Sequence, residues 1–122
     1  MDTMPNTDRV LVIEEQTLLA LEIEDVLREN GFAEVRHHRN VAEATPHFTE
    51  LATFRLAIVE ARLGAAEVVA FTERLVQAGV VVVVMSADRA SAESFPRAEP
   101  LAKPFDAAGL LAACDAAMAR VS

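Results

Sequence analysis

Three runs of consecutive aliphatic residues constrain the fold of this chain more than any other feature. They lie within residues 9–13, 55–59 and 80–85, the first two of which open with an arginine, and none of them alternates polar with apolar side chains. Strands with this pattern are buried on both faces, as in a parallel sheet that is covered by helices. Because parallel strands need crossover connections, the segments between the runs are expected to contain helices.

The intervening segments carry helical signals. Residues 17–30 and 66–78 repeat apolar side chains at helical spacing, and each segment is followed by a glycine that can end a helix. Residues 40–52 begin with the pattern of an Asn-headed capping box but contain Pro46. Proline removes a helical hydrogen bond and clashes with the preceding turn, so this helix is predicted to start late or to kink at Pro46.

Shorter elements complete an alternating pattern. Residues 33–37 are predicted to form a second strand and residues 101–102 a brief fifth strand, with a short helix near 88–94 between strands four and five. Asp106 is predicted to cap the last helix. The expected inner face of this last helix comprises Leu110, Leu111, Cys114, Ala117 and Met118. The pattern predicts an α/β fold with a doubly wound, five-stranded parallel sheet, helices on both faces, and a short or irregular fourth helix.

Composition narrows the functional classes. The 122 residues are 52% apolar, enough for one sizeable core, and we expect a single domain over 1–122 with residues 1–8 as a tail. Eleven basic residues against 19 acidic ones give a net charge of −8, which disfavours nucleic acids and anionic membranes as partners. A single cysteine, Cys114, and a start without an apolar signal core predict a cytoplasmic protein.

Polar side chains follow four of the predicted strands. They are Glu14 and Glu15, Glu60, Ser86, and Lys103. In doubly wound sheets the functional site lies beyond the carboxyl ends of the strands, so these side chains are expected to converge. Carboxylates suit a magnesium ion that keeps several waters, and a hydroxyl with a lysine suits the oxygens of a phosphoryl group. The sequence therefore predicts a site with the groups that phosphoryl transfer requires.

Four blocks of sequence, each at the end of a predicted strand, together match the sequence pattern of a known protein family. They are residues 10–16 (VLVIEEQ), 56–64 (LAIVEARLG), 81–87 (VVVVMSA) and 101–105 (LAKPF). Together they resemble the receiver domain of two-component response regulators over essentially the whole chain. The resemblance implies a flavodoxin-like sheet with strand order 2-1-3-4-5. Because only about three residues follow the last predicted helix, we expect no output domain.

The resemblance also implies roles for individual residues. Glu14 and Glu15 match the acidic pair that holds Mg²⁺, together with the backbone carbonyl of Arg62, and Glu60 matches the phosphoryl acceptor. Ser86 matches the hydroxyl that senses the phosphoryl group, Lys103 the lysine that pairs with it, Leu101 the switch position and Pro104 a proline that is commonly cis. None of these residues is assigned a catalytic role.

The sequence departs from the family pattern at its most important position. Glu60 stands where the family has an aspartate, and its extra methylene moves the carboxylate by about 1.5 Å, which predicts that normal phosphoryl acceptance is lost. Glutamates at both positions of the acidic pair put Mg²⁺ binding in question, because that ion needs near-ideal octahedral geometry. Leu101 replaces the usual aromatic switch residue, which predicts altered signal output.

Several interpretations are open from the sequence. Glu60 could form an ion pair with Lys103, imitate an aspartyl phosphate, or still accept a phosphoryl group. We favour a phosphorylation-independent pseudo-receiver that binds a histidine kinase, a phosphotransfer protein or another regulator, with a homodimer through helix four, strand five and helix five as a further option. The alternatives are a magnesium-dependent phosphoryl-transfer enzyme and a vestigial dimerising scaffold. The histidines, His37, His38 and His47, are expected to be surface residues.

Overall fold

The structure, a computed structural model, describes residues 8–61 and 66–120. The strands are β1 (Arg9–Ile13), β2 (Glu34–His38), β3 (Leu56–Glu60), β4 (Val81–Ser86) and β5 (Glu99–Ala102). The helices are α1 (Thr17–Glu29), α2 (Val41–Ala44), α3 (Phe48–Leu51), α4 (Ala66–Gln77), α5 (Arg89–Glu93) and α6 (Ala107–Ala119). Within the described part of the chain, no helix has the length and apolar character needed to cross a membrane.

The sheet confirms the predicted fold class. Its five strands are ordered β2-β1-β3-β4-β5, and every neighbouring pair is parallel. All carboxyl ends therefore meet at one edge, where the register pairs Ile13 with Val59, and Ser86 with Ala102. This register brings the residues that follow β1, β3 and β5 to the same edge of the molecule.

The aliphatic runs are continuous because the sheet has a core on each face. Along β1, Leu11 and Ile13 enter one core, while Val10 and Val12 enter the other. The first core is closed by α2, α3 and α4, and the second by α1 and α6. Since burying one such side chain stabilises the fold by roughly 1.5–3 kcal/mol, both faces contribute strongly to folding.

Pro46 breaks the predicted second helix. α2 ends at Ala44, a 3₁₀ turn spans Thr45–His47, and α3 follows at once. The predicted late start is wrong, because α2 begins directly after its predicted cap, Asn40. The predicted disruption at Pro46 is confirmed by the 3₁₀ turn. The Asn40 side chain accepts a hydrogen bond from the Glu43 backbone N–H at 2.9 Å.

Other element bounds differ slightly from the sequence prediction. β5 begins two residues earlier than expected, and α5 is a five-residue helix whose cap, Asp88, accepts a hydrogen bond from the Ser91 N–H at 2.7 Å. Asp106 caps α6 as predicted, by accepting from the Gly109 N–H. The buried stripe of α6 is Leu110, Ala113, Cys114 and Ala117. Leu111 and Met118 are only half-buried, because they lie on the flanks of this i, i+3, i+4, i+7 stripe.

Candidate functional site

The ammonium of Lys103 joins three strand ends at the carboxyl edge of the sheet. Its Nζ donates a hydrogen bond to Glu14 Oε1 at 2.9 Å and another to Glu60 Oε2 at 3.0 Å. Glu14 follows β1, Glu60 ends β3 and Lys103 follows β5. We call these three residues the Lys103 cluster. Within it, one cation bridges two carboxylates.

The Lys103 cluster is largely shielded from water. The Glu14 side chain is fully buried, while the side chains of Lys103 and Glu60 are 17% and 23% exposed. Burial by itself lowers the pKa of Lys103, but the hydrogen bonds that Lys103 donates to Glu14 and Glu60 and the charges of both carboxylates outweigh it, so the pKa lies above its ordinary value. Lys103 is therefore a full cation at neutral pH.

Glu14 is held from several directions. Its second carboxylate oxygen, Oε2, accepts a hydrogen bond from the Gln16 backbone N–H at 3.0 Å. The Glu14 backbone N–H donates to the His38 carbonyl at 3.2 Å, and its carbonyl accepts from His37 Nε2 at 2.8 Å. Both side-chain oxygens and both backbone polar groups of Glu14 thus have partners.

The Ser86 hydroxyl is engaged by the loop that follows β4. Ser86 is buried, its hydroxyl donates to the Asp88 carbonyl, and the same oxygen accepts from the Asp88 N–H at 3.1 Å. The backbone of Ser86 lies next to the Lys103 cluster, since its carbonyl accepts from the Lys103 N–H at 2.9 Å. In this arrangement Ser86 shapes the β4–α5 turn.

The remaining candidate residues lie in different surroundings. Glu15 is exposed whereas Glu14 is buried, so the two members of the acidic pair differ in their access to water. Leu101 is buried in the core beneath α1 and α6, and the Lys103–Pro104 peptide bond is cis. Arg62 lies outside the described residues.

Comparison with solved structures shows which known folds this chain is similar to. No protein-family model and no curated protein matches the chain. The beryllofluoride-activated NtrC4 receiver domain matches with a TM-score of 0.78, at 22% identity over 94% of this chain and 99% of that one. A response regulator from Thermotoga maritima matches with a TM-score of 0.75, at 22% identity over 91% and 97%.

A third structure extends the comparison. It is a response regulator protein from Burkholderia pseudomallei with a phosphorylated aspartic acid, calcium ion and citrate. It matches with a TM-score of 0.71, at 25% identity over 93% of this chain and 69% of that one. The chain has the receiver fold of response regulators. The fold-level part of the resemblance is thereby confirmed.

The side chains at this edge of the receiver fold do not fit a divalent cation as they are arranged. The Lys103 ammonium lies where a cation would bridge Glu14 and Glu60, and both oxygens of Glu14 are already hydrogen-bonded. Mg²⁺ also keeps several waters, which the fully buried Glu14 cannot accommodate. Within residues 8–61 and 66–120, no group of three or more carboxylate, imidazole or thiol side chains is placed to hold a metal ion.

Sequence reasoning missed how the histidines are arranged beside this site. His47 is exposed as expected, but His37 and His38 are half-buried. The rings of His38 and His47 stack with centroids 5.3 Å apart, and His38 Nε2 is buried with no hydrogen-bond partner among the described residues. Burial, followed by the charges of His47 and Arg36, lowers the pKa of His38. The only sequence signal was the position of His37 and His38 at the end of a strand.

Proposed function

We propose that this chain is a receiver-type signalling domain that acts by protein–protein interaction and is not phosphorylated on Glu60. The observation that carries the proposal is the pair of hydrogen bonds from Lys103 to Glu14 and Glu60. The receiver fold supports the signalling role, and the charge balance of the Lys103 cluster supports independence from phosphorylation.

Two physical arguments weigh against phosphoryl acceptance at Glu60. Phosphoryl transfer depends on positioning and on cations that neutralise the developing charge. The Glu60 carboxylate is displaced by one methylene relative to an aspartate, and a misplacement of about 1 Å can reduce a rate by about 100-fold. The Lys103 cluster supplies a single ammonium, which is already shared between two carboxylates.

The same contacts support a fixed conformational state. The Glu60 carboxylate reaches Lys103 without any modification and so links β3 to the residue that follows β5. Leu101, at the switch position, is buried in the core and has no aromatic ring that could swing between inner and outer positions. We therefore propose that the Lys103 cluster holds the domain in one state permanently, in the way that a phosphoryl group would hold a responsive receiver.

The proposed partner surface is the face formed by α5, β5 and the end of α6. A groove of about 660 Å³ opens there. Its lining includes Asp88, Glu93, Phe95, Ala98, Leu101 and Arg120. We propose that it binds a histidine kinase, a phosphotransfer protein, another regulator or a second copy of the chain. The NtrC4 receiver domain was solved as a dimer, which supports self-association as one option.

Intact mass measurement tests the proposal. The wild type, Glu60→Asp and a matched control, Glu22→Asp on the exposed side of α1, are incubated with Mg²⁺ and a small phosphodonor. We expect no phosphoryl adduct on the wild type or on Glu22→Asp. An adduct on Glu60→Asp alone would support the natural glutamate as the disabling residue, whereas an adduct on wild-type Glu60 would refute the proposal.

We further propose that the chain is not an enzyme. Residues 9–15 contain no Asp-x-Asp pair of nucleophile and acid, and the sequence has no glycine-rich phosphate loop. A phosphatase assay with the same phosphodonor should give no turnover above the buffer rate. Sustained turnover by the wild type would instead support the magnesium-dependent enzyme alternative.

A further inference from the structure

We infer that Lys103 acts as the resident cation of this pocket and thereby excludes divalent metal ions from it. Its ammonium lies 2.9 Å from Glu14 Oε1 and 3.0 Å from Glu60 Oε2, so it already neutralises two of the carboxylates at this edge of the sheet. The inference rests on the proposed function in treating this edge of the sheet as a receiver-type site.

Burial makes the ammonium hard to displace. Glu14 is fully buried, and a buried carboxylate strongly favours a partner that neutralises its charge. A metal ion that bridged Glu14 and Glu60 in place of the ammonium would leave Lys103, itself only 17% exposed, without either carboxylate. Displacement therefore leaves a largely buried charge unpaired.

The second oxygen of Glu14 gives no alternative route for a metal ion. Glu14 Oε2 already accepts the Gln16 N–H at 3.0 Å, while Oε1 accepts from Lys103 Nζ. A metal ion would have to break that bond or share the oxygen, and it would also have to shed waters that Mg²⁺ releases reluctantly. Removing the ammonium is the one change that frees both Glu14 Oε1 and Glu60 Oε2.

The test is a titration with MgCl₂ through the millimolar range, monitored by the carboxyl ¹³C resonances of Glu14 and Glu60. We expect no saturable shift in the wild type. Lys103→Met keeps a long apolar stem but removes the charge, and it should bind Mg²⁺ at least about tenfold more tightly than the wild type. Lys103→Arg retains a cation and should behave as the wild type does.

Each outcome decides the inference. Saturable Mg²⁺ shifts in the wild type would overturn it, and so would a folded Lys103→Met protein that binds no more tightly than the wild type. If Lys103→Met does not fold, the wild-type titration and Lys103→Gln, which keeps a neutral donor, decide instead. Mg²⁺ binding without a phosphoryl adduct would overturn this inference and leave the proposed function standing, whereas an adduct on Glu60 would refute the proposed function.

Discussion

Glu60 and Lys103 form a direct ion pair at the carboxyl edge of the sheet. The longer carboxylate of Glu60 reaches the Lys103 ammonium at 3.0 Å, while the fully buried Glu14 holds the same ammonium from the other side. An ion pair between Glu60 and Lys103 was one of the interpretations that the sequence left open, and the structure contains it. The part taken by Glu14 needed the structure, because the sequence does not reveal that Glu14 is buried while Glu15 is exposed.

Loss of the ammonium should destabilise the fold as well as change ion binding. Lys103→Met leaves the buried Glu14 carboxylate without its cation, and removing one partner of a buried pair costs about 3 kcal/mol. Arg28→Met is the matched control, because it breaks an exposed ion pair with Glu24 on α1 that contributes about 0.5 kcal/mol or less. Urea unfolding at neutral pH measures the free energy of unfolding of both variants. Equal values for the two variants would contradict the prediction that Lys103 contributes more to stability than Arg28.

Ser86 marks the limit of prediction at this scale. The sequence placed it correctly at the end of β4, but whether its hydroxyl faces the pocket or the following loop is a matter of side-chain rotamer. The structure engages that hydroxyl with the Asp88 backbone. A periodicity argument cannot distinguish these orientations, because it fixes the strand and its end and leaves χ angles undetermined.

At the scale of elements, Pro46 has a consequence beyond the break in its helix. The break was predictable from proline chemistry alone. The 3₁₀ turn that results places His47 over His38 at the end of β2, with the two rings inclined by 20°. This stack depends on how the turn crosses the sheet edge, and no local pattern in the sequence specifies that path.

The histidine stack should make stability depend on pH. Because the pKa of His38 is lowered in the folded state, the unfolded chain binds a proton there more readily than the folded one does. The free energy of unfolding should therefore fall as the pH drops below the ordinary histidine pKa of about 6.5, until His38 also titrates in the folded state. Urea unfolding of the wild type and His38→Asn across this range isolates the contribution of His38.

The difference between these two proteins carries the information, because other groups titrate in both. We expect the wild type to lose more stability on acidification than His38→Asn. An identical pH dependence would show that the half-buried His38 ring, whose Nε2 has no partner among the described residues, makes no contribution.

At the scale of the whole molecule, the fold was predictable because several signals agree. Aliphatic runs such as 80–85 indicate strands buried on both faces, helical periodicity separates them, and crossover handedness then leaves few topologies. The chemistry of the edge was predictable in kind, since Glu14, Glu60 and Lys103 do meet there. The charge pairing and the pKa of Lys103 at this edge could not be predicted, because both depend on the distances and the burial within the Lys103 cluster.

We propose above that the state of this domain does not depend on a phosphoryl group at Glu60. The most direct measurement is the amide NMR spectrum of the wild type before and after addition of Mg²⁺ with beryllofluoride, the reagent that activates the NtrC4 receiver domain. We expect no saturable change at Glu60, in the turn after β4 or along β5. Saturable shifts that spread from Glu60 through Ser86 to Leu101 would contradict the claim, since they would show a pocket that still receives and transmits the signal.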